Sequence, residues 1–411
     1  MLATIPLVFV LAGLVLYVVL AGADFGAGLW LALSGPGERG ARIREHAHRS
    51  MAPVWEANHV WLIFVLTVTW TAYPAFFGSV ASTLGAALLL AGLGIILRGA
   101  SYALRAGADG RRGRRAIDTA FAIASLVTPF SLGAAAGAIA SERVPVGNAA
   151  GAEFTSWLNP TSVAIGVLAV VFAAYLAAVY LAADAGRVGD AELEAAFRRR
   201  ALVSGFLAGA VAAATLVVVH SDARGLYDGL VQGGALATVI VSGLAGLITL
   251  ALVRAGRLQL ARVSAALAVA AVIAGWALAR YPTLLPGLSV DRAAASHDTL
   301  VTLIVAVVAG GVLLFPSLGL LFGLLLRGRF DEGAAHTGAG AAGIAAGARP
   351  RALVAAGVGA GRGAVALLIA GVGLLNVAGA PWAHGIGVTA LLGAVVLGFV
   401  AIVPAMASEA L

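Results

Sequence analysis

Long apolar segments without charges dominate the sequence, and they constrain its fold more than any other feature. Each runs for about 18 to 25 residues, the length at which an α-helix crosses a hydrocarbon core about 30 Å thick. The strands of an outer-membrane barrel would instead be about ten residues long with alternating polarity, a pattern that the segments lack. Because a backbone in lipid must satisfy its own hydrogen bonds, we expect an all-α, polytopic transmembrane helix bundle.

The composition excludes several other classes of protein. Only 11% of the residues are charged and 61% are hydrophobic, whereas soluble domains carry about 25% charged residues. The net charge of +7 does not indicate nucleic-acid binding, because the basic residues separate apolar segments instead of forming a patch with aromatic side chains. The absence of cysteine excludes disulfides and thiolate metal sites.

Eleven apolar segments are predicted to be helices, and an Ala- and Gly-rich stretch interrupts them near the end. We expect a transmembrane domain at residues 1–330, a cytoplasmic linker at 331–351 and a two-helix extension at 352–411. The predicted helices are 5–33, 51–76, 78–102, 117–140, 160–183, 200–220, 234–253, 258–280, 297–326, 352–378 and 384–406.

The arginines predict the orientation of these helices. With the N-terminus outside, 21 of the 26 basic residues, all of which are arginine, fall in the loops expected in the cytoplasm, and four fall on the opposite side. Positively charged loops stay in the cytoplasm. We therefore expect a multi-pass membrane protein with its N-terminus outside and its C-terminus in the cytoplasm.

Asp24 lies within the first apolar segment, which continues past it without a turn. A charged carboxylate near the centre of a membrane helix costs about 2.5 to 3.5 kcal/mol, so such a residue usually faces the bundle interior. We interpret Asp24 as functional, although a position near the membrane interface would reduce that cost.

The second apolar segment begins with a group of polar residues. Glu56 and His59 are three residues apart and share a helix face, with Trp55 beside them. A carboxyl group and an imidazole in such a setting could relay a proton. The alternative is that Glu56 and His59 form hydrogen bonds with each other and with Asn58 near a helix end.

Other polar residues carry weaker predictions. Arg98, Tyr102 and Arg105 close the third helix, where arginine side chains are expected to snorkel to the cytoplasmic surface. The remaining histidines have no second His or Met at a recognisable spacing, so haem or metal ligation by them is not predicted. These are His46, His48, His220, His297, His336 and His384.

The order of these features resembles subunit II of the cytochrome bd family of terminal oxidases. LAGADFGAG stands where that family has a run of the type DGFDLGVG, and SMAPVWEANHVWL, residues 50–62, matches the type SIAPHWDGNQVWL. TAYPAFF, LRGASYALR, LNPT and RYPTLLPGLSVDRAAASHDTL follow in the family's order. Together the matches extend over residues 1–330.

The resemblance implies nine helices, arranged as two four-helix groups and a peripheral helix, with two further helices added here. It implies a subunit without firmly bound cofactors, which supports a haem-bearing subunit I. That partner carries haems b and d, oxidises membrane quinol and reduces dioxygen, and some members also hold a structural quinone in subunit II. Asp24 and Glu56 then match two acids of a proton path from the cytoplasm, extended by His59 and supported by Trp55 and Asn58.

The sequence also departs from the family pattern. Glu56 replaces an aspartate, His59 replaces a glutamine, and Ala21 and Ala103 stand where relatives have acids. Two alternatives therefore stay open, a degenerate structural relative that has lost the oxidase role and a proton-coupled transporter.

Overall fold

The computed structural model describes residues 2–51, 55–105 and 111–326, with isolated helical positions between 363 and 397. The chain divides into two compact units, Met1–Ser317 and Leu318–Leu411. The predicted linker at 331–351, with His336, lies outside the described residues, as do His384 and most of the two predicted C-terminal helices. In the second unit, a Cβ on Gly363 would lie 3.1 Å from Leu397 Cδ1 and one on Gly393 would lie 3.0 Å from Leu367 Cδ1, so small and large residues oppose each other there.

The described residues up to 326 form helices that are joined by turns and by a longer loop at residues 141–159. The α-helices are α1 (Ile5–Ala32), α2 (Gly37–Met51), α3 (Trp55–Ala72), α4 (Pro74–Thr83), α5 (Gly85–Arg105), α6 (Arg111–Ala140), α7 (Pro160–Arg187), α8 (Ala191–Asp222), α9 (Arg224–Leu230), α10 (Gly233–Arg254), α11 (Leu258–Arg280), α12 (Val290–Ala293) and α13 (His297–Leu326). Two short strands, β1 (Thr283–Leu285) and β2 (Leu288–Ser289), form an antiparallel hairpin before α12.

Seven of the described helices are long and apolar enough to cross a membrane. They are α1, α5, α6, α7, α8, α10 and α11, and α3 and α13 contain shorter apolar stretches. Their surfaces carry large exposed apolar side chains, such as Phe206 at 75% and Ile96 at 67% exposure, as expected where lipid replaces water. The prediction of an all-α transmembrane bundle is confirmed.

The helices of the first unit pack as two groups of four. In one group α1 packs against α3 and α6, and α6 against α5; in the other α7 packs against α8 and α11, and α10 against α8 and α11. Contacts of α7 with α1 and α6 join the groups. The core at this junction is rich in alanine, whose small side chain lets helices approach closely. Helix α13 is peripheral, and Leu300 and Leu303 join it to a second core that contains Tyr73.

Local sequence sets several helix ends. Asn159 caps α7 by accepting a hydrogen bond from the Ser162 N–H, and Pro160 occupies the first turn, where a missing N–H costs nothing. Asp190 caps α8 through the Leu193 N–H. The predicted helix 51–76 is divided, because Pro74 starts a separate helix after Tyr73.

Helix α2 was not predicted, since residues 34–50 were expected to be a loop. It is amphipathic and buries Ile43 and Ala47 against the bundle. Arg42 Nη2 donates to Asp190 Oδ2 at 2.7 Å, and Arg42 also donates through Nη1 to Glu192. The Leu193 N–H and then Arg42 hold the pKa of the Asp190 carboxyl below its ordinary value. The segment therefore docks as a helix because the α7–α8 turn offers it acidic partners.

The crossing of α1 and α7 depends on Gly26. A Cβ at this position would lie 1.8 Å from the carbonyl oxygen of Ala173 on α7, so any side chain would force the two helices apart. Gly246 on α10, by contrast, has no atom within 4 Å of its hypothetical Cβ.

We predict that Gly26→Ala destabilises the protein by about 1 to 3 kcal/mol, because the added methyl group overpacks the α1–α7 crossing. The matched variant Gly246→Ala should be neutral or slightly stabilising, since alanine is the better helix former. Thermal unfolding of the two purified variants measures the difference. Equal unfolding temperatures would contradict the close approach at Gly26.

Candidate functional site

Asp24 and Arg98 form an ion pair that is completely shielded from the surroundings. Their side chains are 0% and 1% exposed. Arg98 Nη2 donates to Asp24 Oδ1 at 2.6 Å, and Nε donates to Oδ2 at 3.1 Å. Nη2 also donates to the backbone oxygen of Asp24 at 2.6 Å. This two-pronged geometry is the strongest way in which a guanidinium binds a carboxylate.

Further side chains form hydrogen bonds with the remaining donor and acceptor atoms of Arg98 and Asp24. Arg98 Nη1 donates to Ser125 Oγ, which itself donates to the Phe121 carbonyl oxygen at 2.7 Å. The Tyr102 hydroxyl donates to Asp24 Oδ1 at 3.3 Å. The guanidinium lies 4.1 Å from the centroid of the Phe121 ring and 5.2 Å from that of Phe25, a cation–π arrangement that compensates the lost hydration.

Glycines make room for this cluster where α1, α5 and α6 meet. A Cβ on Gly28, one turn after Asp24, would lie 2.0 Å from Ser125 Oγ and 2.8 Å from Arg98 Nη1. A Cβ on Gly94, one turn before Arg98, would lie 2.1 Å from Thr128 Oγ1. Small residues on α1 and α5 therefore admit the long arginine side chain between the helices.

Helix α3 brings the other predicted residues to the neighbourhood of this cluster. Asn58 is 4% exposed, and its Nδ2 donates to the Leu20 carbonyl oxygen of α1 at 3.3 Å. The His59 ring meets the Tyr17 and Phe25 rings edge-on, with centroids 6.1 and 6.2 Å apart. Phe25 thus contacts both His59 and the Arg98 guanidinium.

Trp55 and Glu56 lie in the first turn of α3, and their side chains are outside the described residues. The backbone places Glu56 one helical turn before His59, as the spacing predicted. The Asn58 amide nitrogen binds α1, and the alternative in which Glu56 and His59 form hydrogen bonds with each other and with Asn58 stays open, because the Glu56 side chain lies outside the described residues.

The expectation that Arg98 snorkels to the cytoplasmic surface is wrong. Asp24 supplies a counter-charge inside the bundle, so the guanidinium turns inward and forms four hydrogen bonds there. Tyr102 likewise faces the cluster, and its ring stacks on His48 of α2 with centroids 5.1 Å apart. Arg98 therefore does not belong among the cytoplasmic loop residues, which leaves 20 arginines there.

The other described histidines have structural surroundings. His46 Nε2 lies 3.0 Å from the Leu181 carbonyl oxygen, His220 packs edge-on against Tyr227 at 4.7 Å, and His297 pairs with Asp298 at 3.3 Å. Among the described residues, no group of three or more His, Asp or Glu is arranged to hold a metal ion.

The sequence model of the family "Cytochrome bd terminal oxidase subunit II" matches residues 2–325. The chain belongs to this family. It is 23% identical over 249 residues to the "Putative cytochrome bd menaquinol oxidase subunit II" of Bacillus subtilis (strain 168), covering 56% of this chain and 67% of that protein. Its fold resembles a chain of the bd oxidase from Geobacillus thermodenitrificans, with 26% identity, a TM-score of 0.58, and coverage of 79% of this chain and 99% of that one.

This member of the cytochrome bd subunit II family is a multi-pass membrane protein and a component of a quinol oxidase complex. The positions where the sequence departs from the family pattern have different surroundings. Ala21 is completely buried beside Tyr17 and Phe25, whereas Ala103 is on the exposed side of α5. An acid at position 103 would therefore point away from the Asp24–Arg98 pair.

We predict that Arg98→Gln destabilises the protein by about 3 to 5 kcal/mol, because it leaves the Asp24 carboxylate buried without its counter-charge. Arg49→Gln is the matched control, since Arg49 pairs with Glu45 on the surface of α2 at 78% and 60% exposure and should leave unfolding unchanged. Thermal unfolding of the purified variants provides the measurement.

The double variant Asp24→Asn with Arg98→Gln removes both charges and should lose less stability than the two single variants added together. Strict additivity, or an Arg98→Gln protein as stable as the control, would contradict a stabilising coupling within the pair.

Proposed function

We propose that this chain is the non-haem subunit of a cytochrome bd-type quinol:dioxygen oxidoreductase, which supports a haem-bearing subunit I and contributes a cytoplasmic proton path. The observation that carries the proposal is the polar cluster of Asp24 and Arg98 inside an otherwise apolar bundle, with His59 of α3 one aromatic ring away. Charged groups within a membrane protein usually mark pathways for ions or protons.

The orientation follows from the loops. With 20 arginines on one side and four on the other, the arginine-rich ends of the helices face the cytoplasm and the N-terminus lies outside the bacterial plasma membrane. Asp24, which lies two turns before the end of α1, is then in the cytoplasmic half of the membrane. A proton entering from the cytoplasm would meet the start of α3 before this cluster.

In this path Glu56 and His59 carry the proton, and Asp24, which the family pattern also assigns to the path, is bound in a neutral pair with Arg98. Protonating Asp24 fully would leave the Arg98 guanidinium without a counter-charge in a medium of low dielectric constant, which is costly. Asp24 therefore takes part by holding Arg98 and the Tyr102 hydroxyl in place and does not itself carry the proton. Asn58 fixes α3 to α1 beside it, and Trp55 supports the entrance.

Haems b and d belong to the partner in this proposal, and quinol oxidation takes place there. This chain holds no haem of its own, and a structural quinone, which some family members keep in this subunit, stays a prediction from the resemblance. Membrane lipid and subunit I are its expected partners, and nucleic acid is not.

The experiment that tests the proposal is affinity purification of the full chain from its native membrane, followed by a reduced-minus-oxidised spectrum. Bands of haems b and d that copurify with the chain would support it. A stable chain that purifies free of haem would overturn it in favour of a degenerate structural relative or a proton-coupled transporter, and proton flux in liposomes containing the chain alone would distinguish those two.

We predict that Glu56→Gln slows oxygen reduction by the complex roughly ten- to hundredfold without loss of assembly, because the amide keeps the shape of the side chain and cannot carry a proton. Glu45→Gln on the exposed face of α2 is the control and should turn over normally. Oxygen consumption per haem is the measurement, and an unchanged rate for Glu56→Gln would remove Glu56 from the path.

We predict that His59→Gln, which restores the glutamine of the family pattern, slows oxygen reduction by the complex, because an amide cannot carry a proton. The complex should assemble with normal haem content. If the variant and the unmodified complex reduce oxygen at the same rate per haem, His59 does not take part in proton transfer.

A further inference from the structure

The basic residues at the arginine-rich end of the bundle differ in whether they have acidic partners. Arg187 and Arg262 both contact Asp184, at 3.7 and 3.3 Å, and Arg198 lies 3.6 Å from Glu194. Arg42, as described above, binds both acids of the α7–α8 turn. Arg199 and Arg200 are different, because among the described residues no carboxylate lies within 4.0 Å of either guanidinium.

A third basic side chain joins these two. Arg39 of α2 approaches the same face of α8, because it contacts Glu192, which precedes Arg199 by two helical turns. Arg39 is 69% exposed and has only a long contact of 3.8 Å with Glu192. Arg42 already binds Glu192, so among the described residues Arg39, Arg199 and Arg200 have no carboxylate of their own, and an anion bound between them would reduce their mutual repulsion.

Arg200 is held in place for such a role. Its guanidinium lies 5.3 Å from the Phe197 ring centroid and 5.7 Å from the ring of Trp30, and Nη1 donates to the Ala196 carbonyl oxygen at 3.2 Å. Tryptophan is typical of the membrane–water interface, so Trp30 indicates the level of the lipid headgroups.

The length of the uncharged part of α8 also places these arginines at the level of the lipid headgroups. Residues 201–219 contain no charged side chain, and at 1.5 Å per residue they extend about 28 Å, close to the thickness of the hydrocarbon core. Arg199 and Arg200 come immediately before this stretch. They therefore lie where the phosphate groups of one leaflet lie.

The surface of α8 below Arg199 is apolar and exposed. Val203, Phe206 and Leu207 are 61%, 75% and 49% exposed, and they follow Arg199 by four, seven and eight residues, which places them on the same helix face. A molecule whose phosphate binds at Arg199 would find an apolar surface for its hydrocarbon chain directly beneath.

We propose that Arg39, Arg199 and Arg200 form a binding site for the phosphate of an anionic phospholipid, whose acyl chain lies along Val203, Phe206 and Leu207. The charge surplus selects an anion, the aromatic contacts hold one guanidinium in place, and the exposed apolar face of α8 selects a lipid over a free phosphate ion. The bound lipid would neutralise the repulsion between α2 and α8 and so stabilise the docked position of α2.

The test is a titration of the delipidated full-chain complex with phosphatidylglycerol, followed by native mass spectrometry and by thermal unfolding in nanodiscs. Arg199→Gln with Arg200→Gln should weaken phosphatidylglycerol binding by about thirtyfold, and Arg199→Gln alone by about fivefold. Arg187→Gln is the matched control, since it removes an arginine from the same end that is 56% exposed and already paired, and it should bind lipid normally.

The single variant keeps the test valid if loss of the Arg200–Trp30 contact impairs folding, because Arg199 is exposed. Stabilisation by phosphatidylglycerol, but not by phosphatidylcholine or inorganic phosphate, that is lost in the Arg199 variants would support the site. Equal lipid affinity of the variants and the Arg187→Gln control would overturn it. Equal stabilisation by inorganic phosphate would also overturn it, because it would show a site for a free anion. Loss of subunit I from the variants with unchanged lipid binding would overturn it as well, because it would show that the partner covers this surface.

Discussion

The buried ion pair between Asp24 and Arg98 determines how the first helix group can pack. Neither charge can stay in lipid or in an apolar core without the other, so α1 and α5 must meet at this depth. Arg98 also needs acceptors for its remaining N–H groups, and Ser125 brings α6 into the same contact. Gly28 and Gly94 follow from this requirement, since any larger residue would occupy the space of the guanidinium or of α6. One electrostatic constraint thus accounts for small residues on two helices and a hydroxyl on a third.

Hydropathy predicted the helices of the bundle well, because in a membrane the length of an apolar segment directly reports a crossing. It failed where structure depends on something other than lipid burial. Helix α2 is too polar to be an apolar segment, and its position depends on Ile43 in the core and Arg42 on the acids of a distant turn. The short hairpin β1–β2 lies in a loop, where Gly287 adopts a φ of +76° at the turn. The hairpin is too short to leave a periodic signal, and α2 leaves only the helical spacing of Gly40, Ile43 and Ala47, which a search for apolar segments does not detect.

The sequence predicts one half of the ion pair. A carboxylate within an apolar segment is rare and indicates Asp24, whereas an arginine near a helix end, such as Arg98, is usually explained by snorkelling. The helix ends in the structure provide the signal that was missing. Asp24 lies eight residues before the end of α1, Arg98 lies seven before the end of α5, and the two helices cross in the same direction. Opposite charges at equal depth in parallel helices predict an ion pair, whereas Ser125 and the aromatic rings carry no comparable signal.

The structure accounts for the absence of acids at positions 21 and 103, where the family pattern has them. Ala103 is on the exposed side of α5, so the absence of an acid there leaves the Asp24–Arg98 cluster intact. Ala21 lies among Tyr17, Phe25 and Ala173, where an acid would be a second buried carboxylate near Asp24 without an arginine of its own. Its absence leaves one carboxylate for one guanidinium. The titratable groups that differ from the family type, Glu56 and His59, both lie on α3. The proposed proton route therefore depends on α3 more than on α1, whose acid is held in place by Arg98.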